Sequence, residues 1–121
     1  MKDVATEYFL EKMLKTALRE PNGVFPHPYL VPGGSGYAHT MWDWDALFLG
    51  IGLLSARPDL ADYLVGTARN FLHVALPDGF TPNNVTAEGK GFIELSRQGQ
   101  PMNPAKPVIA TMLAVAKHAG A

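Results

Sequence analysis

"YAHTMWDWDALFLGIGLL", residues 37–54, decides how the rest of the chain is read. From Asp45 the stretch runs into "DALFLGIGLLSA", residues 45–56, which predicts a helix that is apolar nearly all round. Such a helix is buried on most of its sides. Gly50 and Gly52 weaken it locally and leave room for another backbone to come close. Arg57-Pro58 stops it. Just ahead of this apolar run stand Trp42, Asp43, Trp44 and Asp45. Two carboxylates and two indoles at the mouth of a core are costly to place there without a use.

Working outward, the spacing predicts three more helices. Residues 59–75 carry the stripe Leu60, Leu64, Ala68, Phe71, Leu72 and Ala75, with Asp59 as cap and Asp62, Arg69 and Asn70 off the stripe. Residues 3–19 carry Ala5, Phe9, Met13, Leu14, Ala17 and Leu18, with Asp3 as cap and Pro21-Asn22-Gly23 as stop. Residues 104–118 are again mostly apolar, with Pro104 or Pro107 in the first turn and Lys117 and His118 near the end. The prolines of "NGVFPHPYLVP" argue against a central strand. "GFIEL", 91–95, is a short edge strand or part of an ordered loop.

The order is therefore amphipathic, apolar, amphipathic, apolar. Glycine and proline gather in two long connections, 20–40 and 76–107, whereas the second and third helices are joined by little more than Arg57-Pro58. An all-α fold in two layers follows, with apolar helices inside and amphipathic ones outside. An ordinary four-helix bundle would make all four amphipathic. The long loops then share one end, and long ordered loops are often functional.

Composition narrows the function. The 121 residues suit one domain, 1–121, and 47% apolar content permits a core. A net charge of −1 without a basic run gives nucleic acid or an anionic membrane no electrostatic hold. The absence of cysteine excludes disulfides and thiolate metal sites. His27, His73 and His118 show no metal-ligand spacing, and no cofactor is expected. With neither a secretory leader nor a transmembrane run in the sequence, a cytoplasmic protein is expected.

"HPYLVPGGSGYAHTMWDWDALFLGIGLL" resembles the start of the (α/α)6-barrel inverting glycoside hydrolases, the group of trehalase, mannosyl-oligosaccharide glucosidase and mannosylglycerate hydrolase. The shared elements are Trp44-Asp45-Ala46, Phe48 and Gly52-Leu53 at the head of an inner helix. "GQPMNPAKPVIA" is similar to the group's Gln-Pro-Pro segment, with Met102 where a second proline is common. The resemblance covers the chain from about residue 5, and implies helical hairpins taken from a six-hairpin toroid. Two hairpins correspond to the first third of such an enzyme. The general acid and base would fall beyond residue 121, so no residue here inherits those roles and the chain alone is expected to be inactive.

Sugars present hydroxyls and flat C–H faces, which carboxylates, amides and aromatic rings recognise. The resemblance implies Trp44, Asp45 and Gln100 as substrate-binding residues, and the residues themselves suit a small sugar or α-glycoside. Asp45 is expected at a helix N-cap, where the dipole favours its anion. That state accepts hydroxyl bonds and is wrong for a general acid. Trp42 and Tyr37 are expected to border the same pocket, with His39 and Asn103 as lesser neighbours. Asp43 is expected to be solvated or to brace a loop. An Asp43–Asp45 acid/base pair would approach the substrate from one side only, contrary to the inverting geometry. Two hairpins leave the apolar helices uncovered, so a homo-oligomer or the missing barrel portion is the expected partner.

Overall fold

The computed structural model describes residues 3–33, 39–89 and 104–121. Among the described residues four helices carry the fold: α1 (Val4–Ala17), α2 (Asp43–Ala56), α3 (Ala61–His73) and α4 (Ile109–Ala119). The chain is mostly helical, as the periodicity predicts, with two small antiparallel ribbons added. β1 (Leu18–Arg19) pairs with β2 (Tyr29–Leu30), and β3 (Thr40–Trp42) pairs with β4 (Asn84–Thr86). The all-α reading thus holds in outline, with four very short strands among the described residues. Pro28 and Pro32 flank β2 and confine it to two residues, in line with the proline argument. "GFIEL" lies outside the described residues.

The core is one cluster of side chains from all parts of the fold. Leu53, Leu64, Phe71, Met112, Leu30 and Val85 are all at or below 1% exposure. α2 and α3 form a hairpin turned by a 3₁₀ segment, Pro58–Leu60. Asp59 sits in that turn and pairs with Arg57 at 2.6 Å, so it does not cap α3. The proline at position 58 starts the turn early and displaces the helix start to Ala61. Gly50 faces α3 across a very close approach: a Cβ there would lie 2.8 Å from the Leu64 side chain.

α3 is buried on more than its apolar stripe. Thr67 and Asn70, the latter expected off the stripe, are both fully buried. Thr67 Oγ1 accepts the Leu30 N–H at 2.9 Å, and the Asn70 amide binds both backbone groups of His27. Between them Gly66 lies under Pro28, whose carbonyl oxygen would be 1.9 Å from an added Cβ. The loop of residues 27–30 is therefore laid along α3 and pinned by side chains that substitute for a missing strand partner.

α1 is attached more lightly than its periodicity suggests. Asp3 caps it by accepting the Ala5 N–H, as expected. Leu10, Met13 and Leu14 touch the core, but Phe9 is 66% exposed. α4 packs on both α2 and α3 through Met112 and Ala116. It begins at Ile109, later than 104, because Pro104 bridges to Pro82 and Pro107 lies in the turn before the helix. α2 and α4 run side by side in the same direction. Asp43 at the head of α2 bonds Lys106 just before α4, and the far ends share a groove lined by Ser55, Pro58, His118 and Ala119. The two long connections meet at the α2 head through the β3–β4 ribbon, while the 3₁₀ turn closes the other end.

Candidate functional site

The head of α2 is built from the strand before it. β3 pairs Met41 with Val85 and Trp42 with Asn84, both within the core-facing ribbon. The helix then starts at Asp43, two residues earlier than expected. Asp45 is consequently a first-turn residue and not the N-cap. Trp42 holds the cap position, without a side-chain capping bond. The dipole argument for Asp45 survives this shift, since it acts over the whole first turn.

Asp43 carries out the bracing. It is fully buried, and both carboxylate oxygens are engaged. Oδ1 accepts the Trp44 N–H at 2.7 Å and Oδ2 accepts the Lys106 N–H at 2.7 Å. Its own N–H donates to the Asn83 carbonyl at 3.0 Å. The Lys106 ammonium stands 3.8 Å from Oδ2, adding a charge partner to the buried oxygen. Of the two expected roles, loop bracing holds and solvation does not. An acid/base pair with Asp45 is excluded as well, because Asp43 has no face open to a substrate.

Trp42, Trp44 and Asp45 come together at the α2 head. With Pro32 they line a concavity of about 220 Å³. That is below the roughly 300–1,000 Å³ of drug-sized sites. Trp44 is 49% exposed, so an indole face is open for stacking. The Asp45 carboxylate is exposed and makes no hydrogen bond among the described residues, which leaves its lone pairs to a ligand. Lys106 lies over the Trp44 ring at 4.7 Å from its centroid, and Phe48 abuts it at 6.2 Å. Both contacts hold the indole in place at the mouth of the pocket.

Tyr37 and Gln100 lie outside the described residues, as do Asn103 and Glu94. His39 is exposed and does not line the concavity. Asp78 accepts the Phe80 N–H at 2.9 Å and shapes the turn after α3, a local role. Among the described residues no cluster of three His, Cys, Asp or Glu could hold a metal ion. No described helix is long and apolar enough to cross a membrane.

Sequence reasoning missed Pro32, Lys106 and the buried state of Asp43. Pro32 follows the fully buried Leu30-Val31 pair, so the "YLVP" run carries a signal that its end is fixed. Lys106 sits between Ala105 and Pro107 in "PAKP", and nothing local marks it as the neighbour of a tryptophan 62 positions earlier. No family model, curated protein or solved structure matches the chain.

Proposed function

We propose that the chain binds a small sugar or α-glycoside at the α2 head, as the N-terminal portion of a six-hairpin inverting glycosidase. The observation that carries this reading is the concavity itself. It joins an unengaged carboxylate, Asp45, to two indoles, Trp42 and Trp44. A carboxylate accepts hydroxyl hydrogen bonds while an indole takes the C–H face of a pyranose, and few other small ligands use both so closely. The parallel course of α2 and α4, with α3 returning between them and both long loops at one end, also fits two hairpins of a toroid. In this reading the chain grips the sugar and does not cleave it. Asp43 is committed to the backbone, and Asp45 in a first helical turn is suited to remain an anion.

Titration of glucose, trehalose and glucosylglycerate, followed by tryptophan fluorescence, tests the reading. A saturable change that is lost in Trp44→Ala and Asp45→Asn supports it. No response at high millimolar sugar refutes it. Glycosidase turnover by the purified chain would refute the second half, the absence of hydrolysis. Sugar binding without any parent barrel would instead mark a carbohydrate-binding module, the alternative that keeps the site and drops the catalytic ancestry.

A further inference from the structure

The concavity at the α2 head joins the Asp45 carboxylate to the Trp42 and Trp44 indoles. An ionised carboxylate only accepts hydrogen bonds, whereas every sugar hydroxyl both donates and accepts. Gripping a sugar through Asp45 leaves its hydroxyl oxygens in want of a donor. An ammonium stands beside the same ring. Lys106 Nζ lies 4.7 Å from the Trp44 ring centroid. The residue is held at both ends. Its N–H donates to the buried Asp43 Oδ2 at 2.7 Å, and Nζ returns to 3.8 Å from that oxygen. At 3.8 Å the attraction is between charges, because the separation exceeds hydrogen-bond range. The side chain is 43% exposed and makes no hydrogen bond among the described residues. Three N–H donors are thus held at the border of the concavity without an acceptor.

Resting on the reading of the α2 head as a sugar site, we propose that Lys106 binds the ligand directly. Its ammonium donates to a hydroxyl oxygen of the sugar that Asp45 grips as acceptor. Trp44 borders both groups, so a sugar stacked on this indole meets an acceptor from one residue and a donor from the other. Two features set Lys106 apart from a surface lysine that only props the indole. Its backbone bond and its contact with the ring order the stem before any ligand arrives, so less side-chain freedom is lost on binding. Its charge is also balanced by Asp43. The ligand therefore needs no acidic group, and a neutral hydroxyl suffices as the acceptor. The site so completed selects its ligand by one particular hydroxyl, because a donor built to bind a hydroxyl discriminates against the analogue that lacks it.

The test removes hydroxyls from the ligand one at a time. The full chain is titrated with glucose, trehalose and glucosylglycerate, and with analogues of each that lack one glucose hydroxyl. Calorimetry is the readout, because Lys106 lies over the Trp44 fluorophore. In the parent, the analogue lacking the Lys106-bound hydroxyl should bind about tenfold or more weaker than the intact sugar. Lys106→Met keeps a stem over the ring and the backbone bond to Asp43, and removes the donors. It should lose a similar factor for the intact sugar, and that analogue should then carry no further penalty. The other analogues should keep theirs. Lys106→Arg retains charged donors and should recover most of the loss, and circular dichroism checks that both variants fold. A Lys106→Met chain that binds as tightly as the parent overturns the proposal. So does one that binds more weakly while every analogue keeps its penalty, which makes Lys106 a prop for Trp44. Both results leave the sugar reading standing, whereas no binding of any of the three sugars overturns the two together.

Discussion

The side chain of Asn70 forms a two-way hydrogen bond with the backbone of His27, accepting its N–H at 3.1 Å and donating to its carbonyl at 2.9 Å. This is how a β-strand neighbour would bind it, and Asn70 supplies it from the middle of a helix. The segment that ends in Pro32 is thereby fixed before it reaches the wall of the concavity at the α2 head. Asn70→Ala leaves two part-buried backbone groups without their partner and should cost about 1–3 kcal/mol, read as a lower urea midpoint with an unchanged slope. Asn70→Asp keeps the acceptor but sets a buried carboxylate oxygen against the His27 carbonyl, and should destabilise at least as much.

Gly66 and Gly52 give opposite outcomes for the same substitution. Gly66→Ala drives a methyl group into the Pro28 carbonyl and should destabilise by about 3 kcal/mol. Gly52→Ala meets open space in the monomer and should gain up to about 1 kcal/mol from helix propensity. Thermal unfolding of dilute samples of the two variants checks both signs.

Asp43 and Asp45 separate stability from binding. Asp43→Ala strips partners from the Trp44 and Lys106 N–H groups and should cost about 3–5 kcal/mol. Asp45→Asn touches no hydrogen bond among the described residues and should stay within about 0.5 kcal/mol of the parent. Chemical denaturation paired with the sugar titration should show the first variant unstable and the second stable but unresponsive.

Tyr63 should ionise above the ordinary tyrosine range. Its hydroxyl donates to the Glu20 carboxylate, and that hydrogen bond, then burial, then the adjacent negative charge each raise its pKa. A raised folded-state pKa stabilises the fold below the unfolded value of about 10, and this contribution is lost as pH climbs through the folded value. Ultraviolet titration of phenolate should therefore show a late component that disappears in Tyr63→Phe. The parent should lose its stability advantage over that variant only in strong alkali.

The helices were legible because they rest on local patterns. The Asp3 cap, the apolar run of α2 and the α3 stripe through Leu64, Ala68 and Phe71 are written within one or two turns. What could not be read depends on distant partners. Asn70 is polar and mid-helix, and only the arrival of residue 27 makes it a core residue. Asp43 and Asp45 are two apart and alike in type; their fates diverge because Lys106 and Asn83 meet one of them. The β3 strand was hidden for the same reason, since its three residues become a strand only against Asn84–Thr86. The candidate site was legible in its indoles and Asp45, and not in the proline and lysine that border it.

The Asp43–Lys106 bond joins groups 63 positions apart. Closing a loop of that length is entropically expensive and slow compared with forming the α2–α3 hairpin, whose turn is three residues long. Folding should therefore begin at the hairpin, with the α2 head assembled last. Substitutions at Asp43 or Val85 should accelerate unfolding and leave the folding rate nearly untouched, while Leu64→Ala should slow folding. The α2 head is then the kinetic latch of the molecule, the first part released whenever the chain begins to open.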